Sequence, residues 1–454
     1  MSRSLWRRIA VLTVLASAAA ACGNSNSSSN PTTTADGGPT TTAASGERDT
    51  FVSISGVPGV TDKEIAFAVV GTKANNPLGN CILDCYLDGI KAYFAYRNAE
   101  GGIYKRNLVV SQELDDELGN NQVRALEVTS GNKVFGAFEA TLLPSGWGDL
   151  DAAGVPTYTW GIHAADAANR SHIFPSIAIR CADCTGRGVP FAVKTAGAKH
   201  VASVGYGISE NSKVCTNTVA DSVKLYSSDI GADVAYVNDN LDYGLPSGIG
   251  PQVTAMKNAG VDFISTCIDL NGMKKLAQEL ERQGMQDVVL YHPNTYSQSF
   301  VTEAGGIFEG DFVSVQFLPF EADTSGTALG DFLTWMDKQG SEPSELAMVG
   351  WINATMAFDG LLAAGPNFDR DKVAAATNAL TAFTAGGLIE PINWTEAHTP
   401  FTQKTRGSHT DQECTALVRI EKGKFVTVGP KDRPWLCWDG TDLAWAEPVP
   451  TSFG

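Results

Sequence analysis

Cysteines are the residues of this 454-residue chain whose type and spacing most clearly predict chemistry. Two close pairs, Cys81-x3-Cys85 and Cys181-x2-Cys184, have spacings at which four thiolates can hold a zinc ion. The same pairs can form disulfides, locally or with one another. An even count after Cys22 in an exported chain favours disulfides, so we predict no metal site. The disulfide candidates are Cys81, Cys85, Cys181, Cys184, Cys215, Cys267, Cys414 and Cys437, with Cys215–Cys267 and Cys414–Cys437 as the preferred pairs.

No other group of residues predicts a reaction. The chain has no helical His-Glu-x-x-His, no Gly-x-Ser-x-Gly elbow and no Walker phosphate loop, and its six histidines are scattered. Gly205-Tyr206-Gly207 follows a predicted strand, as a dinucleotide loop would, but a larger residue such as Glu210 stands where the third glycine belongs. We therefore predict that the protein is not an enzyme and has no cofactor.

Cys22 ends a segment with the features of an export signal. Three arginines begin it, an apolar stretch runs from Ile9 to Leu15, and small residues precede the cysteine. We predict that residues 1–22 are a lipoprotein signal and that Cys22 carries the lipid. Ala19 stands where such signals usually have Leu or Val, so an ordinary cleaved signal is the alternative. The next segment, 23–60, is rich in Gly, Ser, Thr and Asn to about residue 46 and predicts a flexible polar tether.

The charge of the chain excludes one class of partner. It has 33 basic and 50 acidic residues, a formal net charge of −17, and loss of the three signal-segment arginines makes the exported form still more acidic. Nucleic-acid binding depends on clustered Lys and Arg, so we predict no nucleic-acid partner. Solubility explains the acidity without a further function.

From residue 61 onward, short apolar runs alternate with amphipathic stretches, which predicts an α/β fold with parallel sheets. Two similar strand–helix series follow one another, so we expect two doubly wound lobes, with the ligand beyond the carboxyl ends of their strands. The predicted strands are 65–70, 108–111, 134–137, 157–159, 200–205, 233–237, 263–266, 288–291 and 312–316. The predicted helices are 82–96, 272–282, 329–338, 345–364 and 371–381.

Several segments between residue 61 and about residue 400 match the motifs of one family. They are the strand Ile65–Gly71, the turn Asn98–Ile103, the strand end Asp115-Asp116, and the segments Val134–Gly136, Ala153–Pro156 and Pro391–Trp394. In these segments the chain resembles the type I periplasmic binding proteins, specifically the branched-chain amino-acid (leucine-binding) receptors of ABC transporters.

The resemblance implies two lobes joined by a three-crossover hinge, which close on a ligand. The crossovers are expected near Ile177–Arg180, Ser314–Gln316 and Pro391–Trp394. The N-terminal lobe would comprise residues 61–178 plus 317–391, and the C-terminal lobe residues 180–314 plus 395–454.

The resemblance also implies positions for an amino-acid ligand. Alignment on two glycines puts Ala140, next to Thr141, and His163 where the family holds the ligand carboxylate. It puts Asn294 where the family has the acid that meets the ligand ammonium, and an amide cannot supply that charge. This departure weakens a prediction of leucine specificity.

Asp269 could supply the missing charge, or could only cap the helix that begins near Asn271. Aromatic and polar residues at other predicted strand ends suit a closing cleft, although aromatic residues there also serve as packing. These remaining ligand candidates are Asn76, Trp160, Gly161, Tyr206, Asn211 and Tyr296.

The expected function is that of an extracytoplasmic receptor, lipid-anchored to the outer face of the cytoplasmic membrane. It would bind a small polar ligand, an amino acid or a related compound, and deliver it to the permease and ATPase subunits of an ABC importer. The alternative is a sensor or cell-envelope scaffold lipoprotein with the same fold and no permease.

Overall fold

The structure is a computed structural model that describes residues 48–77, 79–161, 166, 168–177, 181, 183–293, 296–406 and 412–454. All of these belong to one structural unit, Pro39–Gly454. Three residues with predicted functions, Cys22, His163 and Asn294, lie outside the described residues.

Strands and helices alternate as the sequence predicts, and the nine predicted strands and five predicted helices are all present. The strands are β1 (Glu64–Gly71), β2 (Asn107–Asp115), β3 (Gly136–Ala140), β4 (Thr157–Thr159), β5 (Ile173–Pro175), β6 (His200–Tyr206), β7 (Asp233–Leu241), β8 (Phe263–Cys267), β9 (Val289–His292), β10 (Phe312–Val315), β11 (Gln412–Glu421), β12 (Lys424–Thr427), β13 (Trp435–Asp439) and β14 (Val449–Thr451). The helices are α1 (Leu83–Ala99), α2 (Asn121–Gly131), α3 (Trp147–Ala152), α4 (Gly188–Ala196), α5 (Glu210–Leu225), α6 (Ser227–Ile230), α7 (Gly250–Asn258), α8 (Leu270–Arg282), α9 (Gln298–Ala304), α10 (Leu329–Gln339), α11 (Glu345–Ala364), α12 (Arg370–Asn378) and α13 (Trp394–Ala397).

The first sheet has the order β2-β1-β3-β4-β5, and every neighbouring pair in it is parallel. Strand β1 pairs on both sides, and its inner residues are buried on both faces, as a central parallel strand requires. Helices α1, α10 and α11 pack together on one face, and α2 and α3 pack with each other over the small apolar cluster of the opposite face.

The second sheet begins with the parallel order β7-β6-β8-β9-β10 and continues through antiparallel strands β11, β13 and β14, while β12 pairs with β11. These four C-terminal strands were not predicted. The confirmed fold class is thus α/β with two sheets that contain parallel strands, and the second sheet carries an antiparallel extension built from the tail.

The turn after α1 shows why its two glycines are needed. Both residues adopt positive φ, +99° at Gly101 and +71° at Gly102. A Cβ at Gly102 would lie 2.0 Å from the backbone oxygen of Arg106, so no larger residue fits there. The turn sends the chain directly into β2, which pairs with β1.

The chain passes between the elements of the two sheets in three stretches: after Pro175, after Val315 and after Ala397. The first two follow strands near the predicted crossovers. The third lies later in the chain than Pro391–Trp394, because α13 packs on α12 and the ring of Trp394 contacts that of Phe174 in β5, with centroids 5.2 Å apart. Residues 395–397 therefore lie with elements of the first sheet.

Four disulfides are present in the described part of the chain, and they include both preferred pairs. Cys215–Cys267 joins α5 to the end of β8, and Cys414–Cys437 joins residues that face each other in the β11–β13 ladder. The close pairs bridge locally, Cys81 with Cys85 and Cys181 with Cys184. Those bridges occupy the thiols that the zinc alternative requires.

Helix α11 is long and apolar enough to cross a membrane by length and composition, but 83% of its most apolar window is buried inside the protein. Its residues Trp351 and Asn353 are fully buried. It is therefore a core helix of the first sheet's helical layer.

Candidate functional site

The carboxyl end of β2 shapes the loop that follows β1. The Asp115 carboxylate accepts hydrogen bonds from the backbone N–H groups of Lys73 (3.0 Å), Ala74 (2.9 Å) and Glu117 (2.8 Å). Partial burial alone would raise the pKa of Asp115, but these donors outweigh it and hold the pKa below its ordinary value. The acidic strand end thus fixes the loop that carries Asn76.

Asn76 is half-buried in that loop, where its side-chain amide donates to the backbone oxygen of Asn80 (2.7 Å). The loop ends at the Cys81–Cys85 bridge, which lies at the start of α1. Asn76 therefore lies in the loop at the carboxyl edge of the first sheet, and its side-chain amide makes a hydrogen bond within that loop.

Ala140 is the last residue of β3 and is fully buried. Its backbone oxygen accepts from the N–H of Thr72 (3.0 Å), and the Thr72 hydroxyl accepts from the N–H of Leu142 (3.1 Å). These bonds join the loop after β1 to the loop after β3. Thr141, which directly follows Ala140 in the chain, is half-buried.

Trp160 and Gly161 follow β4 and are half-buried. The N–H of Trp160 donates to the backbone oxygen of Glu139 (2.9 Å), and its own oxygen accepts from the Ser176 hydroxyl (2.6 Å). A Cβ at Gly161 would meet nothing within 4 Å, so this position adjoins open space. Backbone bonds thus hold Trp160 at the carboxyl edge of the sheet.

Sequence reasoning missed Glu139, which is 1% exposed near the end of β3. One of its oxygens accepts from the Asn121 amide (3.2 Å), and the Asn121 carbonyl accepts from the N–H groups of Ser145 (2.6 Å) and Gly146 (2.7 Å). Burial raises the pKa of Glu139 to about 7, although the hydrogen bond from Asn121 acts to lower it. A lone glutamate inside the apolar strand Gly136–Ala140 was the available signal.

On the second sheet, Tyr206 and Asp269 form one hydrogen-bonded unit. Tyr206 ends β6, and its hydroxyl donates to a carboxylate oxygen of Asp269. The other oxygen of Asp269 accepts from the N–H groups of Asn271 (2.8 Å) and Gly272 (3.0 Å), which caps α8. The capping hypothesis for Asp269 therefore describes its geometry.

The glycines beside Tyr206 have packing roles. A Cβ at Gly205 would lie 2.1 Å from the Thr216 hydroxyl of α5, and one at Gly207 would lie 2.1 Å from the side-chain oxygen of Asn240. Their small size allows β6 to contact its neighbours closely. Packing therefore explains both glycines, and a dinucleotide-binding loop is not needed to explain them.

Two predicted ligand residues lie in other settings. Asn211 is exposed in the first turn of α5. Tyr296 is 5% exposed; its hydroxyl donates to Glu321 (2.5 Å) and accepts from the N–H of Phe320 (2.7 Å). Its ring lies 4.9 Å from that of Phe425. Tyr296 thus packs against the segment that follows β10, and this packing commits both its hydroxyl and its ring.

The carboxyl edges of the two sheets meet at Gly79 and Asn271. Gly79 lies in the loop after β1 with φ +76°, and a Cβ there would lie 2.5 Å from the side-chain nitrogen of Asn271 in α8. A side chain at position 79 would require the end of the Asn271 side chain to move, so glycine allows this close contact. Neither residue was predicted, because contact between segments almost 200 residues apart leaves no local pattern.

The carboxyl edges of the two sheets therefore carry hydrogen-bonding side chains and, at Trp160, half-buried aromatic area. The predicted ligand residues that lie at these edges are Asn76, Thr141, Trp160, Gly161, Tyr206 and Asp269. Such an arrangement can hold a small ligand.

Comparison with known proteins supports this description of the fold. The family described as periplasmic binding protein matches residues 82–424. Among solved structures, a leucine-binding protein LivK from Thermotoga maritima is similar at 15% identity and a TM-score of 0.61, over 80% of this chain and 97% of that one. No curated protein matches the sequence.

Other similar structures belong to proteins with different ligands. A solute-binding protein from R. palustris, in complex with 4-hydroxybenzoate, has 16% identity and a TM-score of 0.61 over 84% of this chain and 99% of that one. A fatty acid ABC transporter substrate-binding protein from Thermomonospora curvata has 16% identity and a TM-score of 0.59 over 87% and 95%. At these identities the likeness shows the fold. The family match covers about three quarters of the sequence, and the chain belongs to the periplasmic binding protein family, with the type I fold of the leucine-binding proteins.

Proposed function

We propose that this protein is an extracytoplasmic solute receptor that binds a small polar ligand between its two sheets and delivers it to an ABC importer. The observation that carries the proposal is the approach of Gly79 to Asn271, which brings the carboxyl edges of both sheets together. Ligands of open α/β sheets bind at those edges. Family membership supports the same function, which requires binding and closure and no chemical step.

The geometry of Asp269 bears on the class of ligand. Both of its oxygens already accept hydrogen bonds, from α8 and from Tyr206, and the residue is 9% exposed. Three of its roughly four lone-pair positions are in use and little of the residue is exposed, so Asp269 offers an ammonium group limited access. We therefore favour a ligand without an ammonium group, such as an amide or an aromatic acid, over a branched-chain amino acid.

The lipid anchor at Cys22 belongs to the same proposal. The apolar leader before it and the polar segment after it support attachment to the outer face of the cytoplasmic membrane. The Cys22→Ser variant is the test. Lipidation predicts that wild-type protein stays with membranes while the variant is released, and release of both would leave an ordinary cleaved signal.

A thermal-shift screen tests the receptor function. The purified chain with its disulfides intact is mixed with amino acids, amides, short peptides and aromatic acids, because a ligand that binds only the folded state raises the melting temperature. We expect a rise with a compound that lacks an ammonium group. A rise with leucine or isoleucine alone would overturn the ligand class, and silence throughout would favour the sensor or scaffold alternative.

A further inference from the structure

A second cavity lies within the helical layer of the first sheet. It has a volume of about 310 Å³, is partly open to the surface and is lined by α1, α10, α11 and the segment 379–386. Its α1 residues begin at Tyr93, and helices rise about 1.5 Å per residue, so it lies about 15 Å along α1 from the helix start that adjoins the candidate site. The cavity is therefore separate from the sheet edges.

Aromatic rings form one wall of this cavity. The rings of Tyr96 and Trp351 stack with centroids 5.8 Å apart and planes 7° apart, and Tyr93 meets Trp351 edge-on at 5.0 Å. Trp351 is fully buried, and its indole N–H has no hydrogen-bond partner in the described part of the chain. The aromatic face that lines the cavity is therefore backed by closely packed rings.

Within the described part of the chain, the cavity is lined by one charged side chain that is paired, Arg97, and by one that is not, Asp359. Arg97 donates to the Tyr93 hydroxyl (2.9 Å) and to Glu100 (3.0 Å), and its guanidinium lies 4.5 Å from the centre of the Tyr96 ring. Its charge is thus already paired. Asp359, half-buried in the wall, has no hydrogen bond or ion pair to any residue that the structure describes.

Titratable groups that face Asp359 come from two other elements. Tyr93, Tyr96 and Arg97 belong to α1, and Asp331 belongs to α10; the segment 379–386 contains none. Burial raises the pKa of Asp359 to about 7, while the charge of Arg97 lowers it. A cation bound beside it would stabilise the ionised carboxylate.

We propose that this cavity binds a small primary amine with an aromatic body. The ammonium would pair with Asp359, with Asp331 at the rim as the second carboxylate, and the body would lie against the aromatic wall. The site goes beyond the proposed receptor function, since it shares no residue with the sheet edges. Its ligand class also differs from the one that we favour there.

Calorimetric titration of the purified chain with tyramine tests the proposal, and 4-ethylphenol, which lacks only the amine, is the matched compound. We expect tyramine to bind at least tenfold more tightly than 4-ethylphenol. Binding should also strengthen from pH 6 to pH 8, because the ionised form of Asp359 is the binding form. Equal affinity for the two compounds, or no heat from tyramine at 10 mM, would overturn the proposal.

The variant Asp359→Asn assigns the site. It should weaken tyramine binding at least tenfold and remove the pH dependence, while Asp337→Asn, an exposed aspartate of α10, should leave both unchanged. A folded Asp359→Asn protein that binds tyramine normally would also overturn the proposal. If that variant fails to melt cooperatively, the comparison with 4-ethylphenol decides alone. A compound that saturates the sheet-edge site should not displace tyramine.

Discussion

The hydroxyl of Tyr206 donates a hydrogen bond to the Asp269 carboxylate, and so joins the end of β6 to the cap of α8. The pair is nearly buried, with 3% of Tyr206 and 9% of Asp269 exposed. Burial and the Asp269 charge raise the pKa of Tyr206, so the phenol stays protonated and remains the donor. This bond gives Asp269 a structural partner, which argues against the hypothesis that Asp269 supplies the charge for an amino-acid ligand.

Replacement of Asp269 by Asn tests that structural role. Asn caps helices about as well as Asp, so the main loss is the charge-assisted bond from Tyr206, and we expect unfolding free energy to fall by about 1 kcal/mol. Ligand affinity should change less than threefold. The control Asp369→Asn alters the exposed cap of α12, which has no tyrosine partner, and should cost about 0.5 kcal/mol or less. Abolished binding with an unchanged melting temperature would assign Asp269 to the ligand instead.

Gly272 must be small for this pair to form. A Cβ there would lie 2.3 Å from the Tyr206 hydroxyl oxygen, so we expect Gly272→Ala to reduce stability by about 1–3 kcal/mol. Tyr206→Phe in the same chain should rescue part of that loss, because it removes the clashing atom. Gly131→Ala, where a Cβ meets nothing within 4 Å, is the control and should be neutral or stabilising in urea unfolding. A double variant no more stable than Gly272→Ala alone would contradict this explanation.

Local pattern predicted the central strands and helices because their apolar periodicity is decided within each segment. It also offered the helix cap as one of two roles for Asp269, because capping depends on the residues that follow directly. The bond from Tyr206 and the contact of Gly79 with Asn271 could not be predicted, because they depend on how distant elements meet. Tyr296 is an aromatic residue of the kind that lines clefts, but it packs against the segment after β10. The tail strands β11–β14 were missed because their antiparallel order depends on pairing with β10.

Trp160 should contribute to ligand binding. It is half-buried at the end of β4 beside Gly161, and truncation of an aromatic anchor in a cleft costs about 2 kcal/mol of binding free energy. We expect Trp160→Ala to weaken the best compound of the thermal-shift screen about 30-fold by calorimetry. The control Trp445→Ala removes a half-buried tryptophan that packs on Tyr226, away from the candidate site, and should leave affinity unchanged. Equal losses in both variants would make the role of Trp160 structural.

Glu139 predicts a pH dependence of stability. Its pKa is raised to about 7 by burial, against 4.5 when unfolded, so between these values the folded state binds more protons than the unfolded state. Its contribution is fully present below pH 4.5 and is lost as pH rises through about 7. Glu139→Gln, which mimics the protonated acid, should therefore be more stable than wild type by about 3 kcal/mol at pH 8 and by less than about 1 kcal/mol at pH 5.

Urea unfolding at the two pH values measures this difference. Glu281→Gln, an exposed glutamate of α8, is the matched control and should show no such divergence. A Glu139→Gln protein that is less stable than wild type at pH 8 would show that the ionised carboxylate stabilises the fold.

Closure of the two sheet edges on a ligand can be measured directly with a pair of cysteines at the point where the edges meet. The variants Gly79→Cys and Asn271→Cys are combined in a chain that also carries Cys22→Ser. The other eight cysteines are already bridged, so the two new thiols are free to react with each other. The rate of disulfide formation between the two new thiols is followed by mass spectrometry, with and without the best compound of the screen. We expect the compound to accelerate cross-linking severalfold and to become trapped in the oxidised protein. A cross-linking rate independent of a compound that binds would contradict closure on the ligand at these edges.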